Sequence, residues 1–266
     1  MKWKLGATTR PWHESSFDEA CAAIAEAGYT DVAIYANKGV IPLRADSSPE
    51  EIEETLATVE RYGLTPSMLL GGLNLGGDIE ESIENYRRLI DVAAQAGATY
   101  LLNTGVTDPA VYDRYFETMR RTAPYAGEKG VEIQLKPHGG IGLTGKGLRE
   151  AAERVGHPAF TICYDPGNII FYTKGEARPE PDVHDVAPLV TSCIIKDCIV
   201  VDGKPDVWIQ PTTGWVDFES VLGTLIEAGF EGPFYVECLG GHEKGDIDRR
   251  AKETYDWLVE LLGKFE

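Results

Sequence analysis

Three charged residues, Lys136, Asp165 and Glu237, stand at the ends of short segments in which apolar residues alternate with small or polar ones. The segments VEIQLKPH, FTICYD and GPFYVECLGG have the period of two expected of β-strands. This alternation places all three charged residues on the faces opposite the apolar ones. Charged groups rarely share a buried face unless they are paired or functional, so a functional site is the favoured interpretation. The alternative is a salt-bridged cluster that only closes the interior.

A lysine beside two carboxylates can do chemistry in two ways. As an ammonium, Lys136 could stabilise a developing oxyanion. With a lowered pKa it could act as a general base or as a Schiff-base nucleophile. Burial lowers the pKa of a lysine and neighbouring carboxylates raise it, so the sequence leaves both roles open. Glu237 is the candidate for proton transfer, and Asp165 is a candidate for orienting hydroxyl groups.

Two further residues have the positions to join these three. His138 follows Lys136 by two residues and is a catalytic candidate, the alternative being a loop histidine bonded to backbone. In the strand VTSCIIKD, Lys196 faces the same interior if Ile194 does, and could then contact substrate. If the strand has the opposite phase, Lys196 is an exposed loop lysine paired with Asp197.

Three uncharged or weakly basic residues are candidates for binding substrate. Asn168, in YDPGN, could bind substrate hydroxyls or cap the helix that follows. Asn103 ends the strand YLLN, and His242 follows the last strand, from which it could reach the same site. The remaining histidines are predicted to lie at the surface: His13, His157 and His184.

A recurring glycine indicates the architecture that positions these residues. Six times a helical pattern ends at a glycine that precedes a short apolar strand, where a left-handed residue is needed: Gly28, Gly63, Gly97, Gly130, Gly156 and Gly229. The first three intervals are 35, 34 and 33 residues, and the span from first to last holds six units of about 33. The chain therefore has room for about eight units, the number that a (β/α)8 TIM barrel requires.

Helix starts agree with this assignment. Ser16 with Glu19, and Ser48 with Glu51, have the spacing of capping boxes. Because no linker or change in composition divides the chain, residues 1–266 are predicted to form one barrel domain. An open doubly wound sheet is the alternative, but its GxGxxG turn is missing after the first strand. In a barrel the catalytic groups lie where the strands end, so the three charged residues should meet at one mouth.

Composition excludes several classes of partner. The chain has 43 acidic and 25 basic residues, a formal charge of −18, which repels nucleic acid and anionic membranes. An anionic substrate would need a local cluster of lysine or arginine. No stretch approaches the roughly 18 apolar residues of a membrane span, and the first residues lack a signal core, so a cytoplasmic location is expected. Five cysteines without a CxxC pair predict buried reduced thiols and not a thiolate metal site.

Several landmarks in their order along the chain resemble the xylose-isomerase-like family of sugar phosphate isomerases and epimerases: PHGG, YDPGN, IIKD, TTGWVDF and GPFYVE. The resemblance covers nearly the whole chain. Members usually bind a divalent metal through Glu, Asp, His and Glu at the ends of strands 5 to 8. Carried over by position, Asp165 and Glu237 match the second and fourth ligands. Lys136 replaces the first ligand, and Ile194 replaces the histidine.

Half of the metal shell is thus missing, and a lysine in it would repel a cation. No metal is therefore expected, and the Lys136 ammonium could stand in for the metal as the stabiliser of an oxyanion. The alternative is that Mn, Mg or Zn binds at Asp165 and Glu237 with His138 or His242 as a recruited ligand.

The resemblance implies an enzyme of the isomerase or epimerase type that acts on a sugar or polyol carbonyl compound through an enediolate. The alternatives are a β-eliminating lyase acting on a ketosugar and a non-catalytic carbohydrate-binding barrel. The expected partner is a small carbohydrate, with no nucleic acid and no membrane. A homo-oligomer is compatible with the sequence.

Overall fold

Eight parallel strands close into a barrel in the computed structural model of the chain, which describes residues 2–266. Around the barrel the strands follow the chain, and the last one pairs with the first. This confirms the predicted TIM barrel. The barrel strands are β1 (Leu5–Thr8), β2 (Asp31–Ile34), β3 (Thr65–Leu70), β4 (Tyr100–Asn103), β5 (Glu132–Leu135), β6 (Phe160–Tyr164), β7 (Val190–Ile195) and β10 (Phe234–Val236). A separate antiparallel hairpin consists of β8 (Ile199–Val201) and β9 (Lys204–Asp206).

Helices cover the outside of the barrel. The predicted capping boxes are present, since the Ser16 and Ser48 side chains accept from the backbone N–H of Glu19 and Glu51. All six predicted helix-ending glycines have positive φ, between 67° and 106°. The helices are α1 (Phe17–Ala27), α2 (Pro49–Arg61), α3 (Ile79–Gln95), α4 (Tyr112–Glu128), α5 (Gly145–Val155), α6 (Pro166–Thr173), α7 (Pro179–Asp182), α8 (Phe218–Glu227) and α9 (Lys244–Gly263), with 3-10 turns at Arg10–Trp12, Pro109–Val111, Val183–Asp185 and Ala187–Leu189.

The barrel strands bury both faces, as expected of a parallel sheet covered by helices. One face packs on the helices, with Ile133 and Phe160 in that layer as predicted. The other face fills the lumen with a small apolar cluster: Ala33, Tyr35, Met68, Leu102, Cys163, Ile194 and Tyr235. Ile194 therefore faces inward, which settles the phase of β7 that the sequence left open.

The loops after β7 are organised by one buried carboxylate. Asp197 accepts four backbone N–H groups, those of Cys198, Thr212, Gly214 and Val216, at 2.8–3.0 Å. These bonds tie the end of β7 to the loop that leads into α8. The alternative prediction that Lys196 is an exposed lysine paired with Asp197 is wrong, because backbone amides take both oxygens of Asp197.

The five cysteines carry free thiols, and all are buried. This agrees with the prediction of small buried residues. Within residues 2–266, no helix combines the length and apolar character needed to cross a membrane.

Replacing Asp197 by asparagine should destabilise the fold. An amide offers one acceptor oxygen in place of two and carries no charge, so buried N–H groups lose charge-assisted bonds. We expect the free energy of unfolding, measured by urea denaturation, to fall by about 2–4 kcal/mol. The control is Asp202→Asn in the exposed hairpin turn, which should leave stability nearly unchanged. Equal stability of the two variants would show that Asp197 does not hold this loop.

Candidate active site

Four charged residues each come directly after a barrel strand. Lys136 follows β5, Asp165 follows β6, Lys196 follows β7 and Glu237 follows β10. These strands are consecutive neighbours in the closed sheet, so their carboxyl ends place the four side chains side by side. All four are buried, with at most 5% of each residue exposed.

The four side chains form a closed arrangement of ion pairs, which we call the ion-pair ring (Lys136, Asp165, Lys196 and Glu237). Lys136 Nζ lies 2.9 Å from Asp165 Oδ2 and also contacts Glu237 Oε2. Lys196 Nζ lies 2.6 Å from Asp165 Oδ2 and 2.9 Å from Glu237 Oε1. Positive and negative groups thus alternate, and the formal charge of the ring is zero. The structure brings Lys196 into the site together with the three residues deduced from strand alternation.

Opposite charges in the ion-pair ring favour the ionised forms of Lys136, Lys196 and Glu237. Burial favours the neutral amine of Lys136, but Asp165 and Glu237 together outweigh it and raise the pKa of Lys136 above its usual value. Burial also favours the neutral amine of Lys196, but the same two carboxylates outweigh it and raise the pKa of Lys196. Burial likewise opposes ionisation of Glu237, and the two lysines overcome it and lower the pKa of Glu237. Both lysines are therefore ammonium groups at neutral pH, which favours oxyanion stabilisation over a resting nucleophilic amine.

Neighbouring polar groups fix the two carboxylates. Tyr35 Oη donates to Glu237 Oε2 at 3.2 Å. Asp165 Oδ1 accepts the backbone N–H of Asn168 at 3.0 Å, so Asp165 caps α6. The prediction that Asn168 could cap this helix is wrong; its side chain instead donates to the Pro137 carbonyl oxygen at 2.7 Å. Tyr35 was missed, although it ends the segment DVAIY as the other site residues end theirs.

His138 lies half-buried beside the ion-pair ring. Its Nε2 is 2.6 Å from Tyr172 Oη, and the centroids of the imidazole and the Tyr172 aromatic ring are 4.6 Å apart. Burial, followed by the charges of Lys136 and Lys196, lowers the pKa of His138 below its usual value. The imidazole is therefore neutral at pH 7 and can accept a proton.

An open cavity of about 380 Å³ lies above the ring. Lys136, Lys196 and Glu237 form part of its lining, together with His138 and Asn168. Arg10 and Trp208 also line it, and both are exposed to solvent. Sequence reasoning missed these two, since neither belongs to a barrel strand.

The structure does not bring two predicted residues to this cavity. The Asn103 side chain donates to the Gln134 carbonyl oxygen and accepts from Gly105 N–H and Tyr115 Oη, which leaves it turned into the barrel wall. His242 is exposed in a neighbouring cleft beside His13. Substrate binding by Asn103 or His242 thus lacks support from their positions.

The residues at the mouth do not fit a divalent metal. Both ammonium groups contact the carboxylate oxygens that a cation would need. Ile194 supplies no ligand atom, and His138 is bonded to Tyr172. Across residues 2–266, no group of three or more His, Cys, Asp or Glu side chains is arranged to hold a metal ion.

Comparison with known proteins identifies the family. A profile of the xylose isomerase-like TIM barrel family matches residues 21–261, so the chain belongs to that family. No curated protein matches the sequence significantly.

Solved structures share the fold at low identity. A xylose isomerase domain protein from Planctomyces limnophilus superposes with a TM-score of 0.77, 20% identity and 98% coverage of both chains. A xylose isomerase-like TIM barrel protein from Mycobacterium smegmatis, in complex with magnesium, superposes with a TM-score of 0.74, 20% identity and 98% coverage of both chains. D-psicose 3-epimerase from Clostridium cellulolyticum H10, with D-tagatose, superposes with a TM-score of 0.76 and 15% identity, covering 97% of this chain and 99% of the other.

The ion-pair ring predicts that the stability difference between the wild type and a Glu237 variant depends on pH. Glu237→Gln leaves two buried ammonium groups facing one carboxylate, which should lower the free energy of unfolding at pH 7 by about 3–5 kcal/mol. The pKa of Glu237 is lowered by folding, so its contribution is present above the usual value of 4.5 and is lost as pH falls through the lower folded value. The difference between wild type and variant should therefore shrink in acid.

Urea unfolding at several pH values from about 7 to 3 measures this difference. Glu227→Gln, at an exposed position near the end of α8, is the matched control and should follow the wild type throughout. A difference for Glu237→Gln that stays constant or grows in acid would contradict the assigned charges.

Proposed function

We propose that this protein is an enzyme of the sugar isomerase or epimerase type that stabilises an enediolate with two lysine ammonium groups in place of a metal ion. The observation that carries the proposal is the pair Lys136 and Lys196, buried at the mouth of the barrel and facing an open cavity. Membership in the xylose isomerase-like family supports a carbohydrate as the substrate class. The D-psicose 3-epimerase with the same barrel makes ketohexoses the first substrates to test.

The cavity suits a small polar molecule. A volume of about 380 Å³ lies at the lower end of the range of small-molecule sites, roughly 300–1,000 Å³. Its lining includes the polar side chains of Lys136, Lys196, Asn168 and His138. Such a concentration of polar groups matches a polyhydroxylated carbonyl compound better than an apolar ligand.

The two lysines would bind the substrate through adjacent oxygens. A carbonyl oxygen and the neighbouring hydroxyl can each accept from an ammonium group, which then shares its donors between substrate and carboxylate. When the carbon-bound proton leaves, negative charge collects on the carbonyl oxygen and these bonds strengthen. Interactions that strengthen in the transition state are the ones that accelerate the reaction.

Glu237 is the proposed proton acceptor. At rest its oxygens accept from Lys136, Lys196 and Tyr35, which keeps its basicity low. A substrate that draws the lysine donors away raises the pKa of Glu237 and makes it a competent base. The α-carbon proton passes to Glu237, the C–H electrons form the enediolate double bond, and the same proton or one from another donor returns to carbon.

His138 offers a second position for proton transfer. Its imidazole is neutral and its Nε2 is bonded to Tyr172 Oη, so the pair can take up or deliver a proton at a substrate oxygen or at carbon. Return of the proton to the other face of the same carbon gives an epimer. Return to the adjacent carbon gives an isomer. Asp165, held by α6, keeps both lysines charged and close together.

Exchange of a carbon-bound proton is the direct test. Incubation of the protein with a panel of ketoses and ketosugars in deuterated water should give deuterium at the α-carbon of a substrate, detected by NMR. Lys136→Met and Lys196→Met should each lower kcat by about 10²–10³, because each removes a donor to the oxyanion. Lys146→Met, at an exposed site on α5, is the control and should keep full activity. Circular dichroism establishes that each variant is folded.

Saturable sugar binding without exchange would favour the alternative of a non-catalytic carbohydrate-binding barrel. Loss of water from the substrate, giving an unsaturated product, would favour the β-eliminating lyase. The proposal would be overturned if no member of the panel showed exchange and none bound to the protein.

Removal of metals provides an independent test. Because ammonium groups occupy the carboxylate oxygens, dialysis against a chelator should change neither the exchange rate nor the thermal unfolding temperature. Addition of Mn, Mg or Zn should not raise that temperature, since binding to the folded state would stabilise it. One equivalent of metal in the purified protein, lost together with activity on chelation, would instead support a metal bound at Asp165 and Glu237.

A further inference from the structure

Arg10 is a positive charge at the rim of the cavity without a carboxylate partner. It begins the 3-10 turn Arg10–Trp12 after β1, lines the cavity and is exposed to solvent. Its guanidinium lies over the ring of Trp208, 5.4 Å from the centroid. None of the carboxylates of residues 2–266 forms an ion pair with it.

Within the part of the chain that the structure describes, Arg10 shares the lack of an ion pair with Arg87, Arg88 and Arg114, but of these four only Arg10 lines the cavity above the ion-pair ring. Many other arginines at the surface are paired with carboxylates: Arg61, Arg120, Arg121, Arg154 and Arg249. A cation–π contact lets the guanidinium keep its N–H groups available for hydrogen bonds. Arg10 therefore contacts Trp208 while its side-chain donors form no hydrogen bond or ion pair within residues 2–266.

Outside the ion-pair ring, whose formal charge is zero, Arg10 and Asp206 are the charged residues of the cavity lining. Asp206 accepts the backbone N–H of Trp208 at 2.8 Å and forms no ion pair with Arg10, so the guanidinium remains available to a ligand. The cavity therefore offers ammonium donors at its depth and a separate guanidinium at its rim.

We infer that the substrate is a sugar acid, with a carboxylate held by Arg10 and a carbonyl group held by Lys136 and Lys196. This inference rests on the proposed function for the carbonyl end. Arginine binds carboxylate through two parallel N–H bonds, a geometry that its planar fork matches. One guanidinium without an ion-pair partner can neutralise one negative charge, whereas a phosphate monoester carries about −1.5 to −2 at pH 7. A carboxylate is therefore the better match.

Three compounds that differ only at one terminal carbon test the inference: D-fructose, D-fructuronate and D-fructose 6-phosphate. The corresponding D-tagatose series covers a second stereochemistry. Within at least one series, we expect kcat/KM for deuterium exchange to be highest for the carboxylate. Arg10→Ala should lower that value by about ten- to a hundredfold, mainly through KM, and should change the value for the neutral ketose less than twofold. Arg88→Ala, at an exposed position on α3, is the control and should change neither.

Binding measured by calorimetry separates failure of this inference from failure of the proposed reaction. Tight binding of a uronate that depends on Arg10, without exchange, would support the sugar-acid class and overturn the enediolate reaction. Exchange with equal preference for neutral and carboxylate compounds, unaffected by Arg10→Ala, would overturn the sugar-acid class alone. A preference for the phosphate ester that depends on Arg10, or no binding of either uronate, would also overturn it.

Discussion

The mutual neutralisation of two lysines and two carboxylates is the interaction on which the mouth of this barrel depends. A single charge buried to this degree costs several kcal/mol, and only close opposite charges offset that cost. Each member of the ring comes from a different strand, so the ring forms only when four neighbouring strands have the right register. The barrel thus positions the ring, and the ring in turn makes one arrangement of the strand ends far more favourable than others. Removing any one member leaves an uncompensated charge.

The same neutralisation determines what chemistry is available. Lysines whose pKa is raised by neighbouring carboxylates are permanent cations at neutral pH, so they can stabilise negative charge without a change of protonation. A metal ion would supply stronger polarisation, but its place is taken by groups that repel it. The bond network that keeps Glu237 weakly basic at rest makes its basicity sensitive to a ligand. Substrate binding and activation of the base are therefore one event in the proposed mechanism.

Much of this arrangement could be predicted from sequence because it follows from strand periodicity. The alternation of apolar and polar residues alone predicts that Lys136, Asp165 and Glu237 share one interior surface. The regular spacing of the helix-ending glycines predicts the eight-stranded barrel. Lys196 stayed ambiguous because Ile194 and Ile195 are both apolar, which hides the phase of β7. The orientation of Asn103 could not be predicted, because local bonds to Gly105 and Tyr115 decide it and strand period does not encode them. Residues of loops and turns, such as Arg10, Trp208 and His242, have no period to reveal where they lie.

The charge of the whole chain and the charge of the site act over different distances. A net charge of −18 disfavours anions in general, and the sequence therefore argued against an anionic ligand unless a local cluster of basic residues were present. At physiological ionic strength this field is screened beyond about 8 Å, so recognition inside the cavity depends on the groups that line it. Inside the cavity, the ion-pair ring offers polar groups but no net charge, and Arg10 offers a guanidinium that lies over Trp208. Under the proposed sugar-acid recognition, an acidic protein would bind a monoanion through a cation at contact range, where the screened carboxylates elsewhere on the surface contribute little.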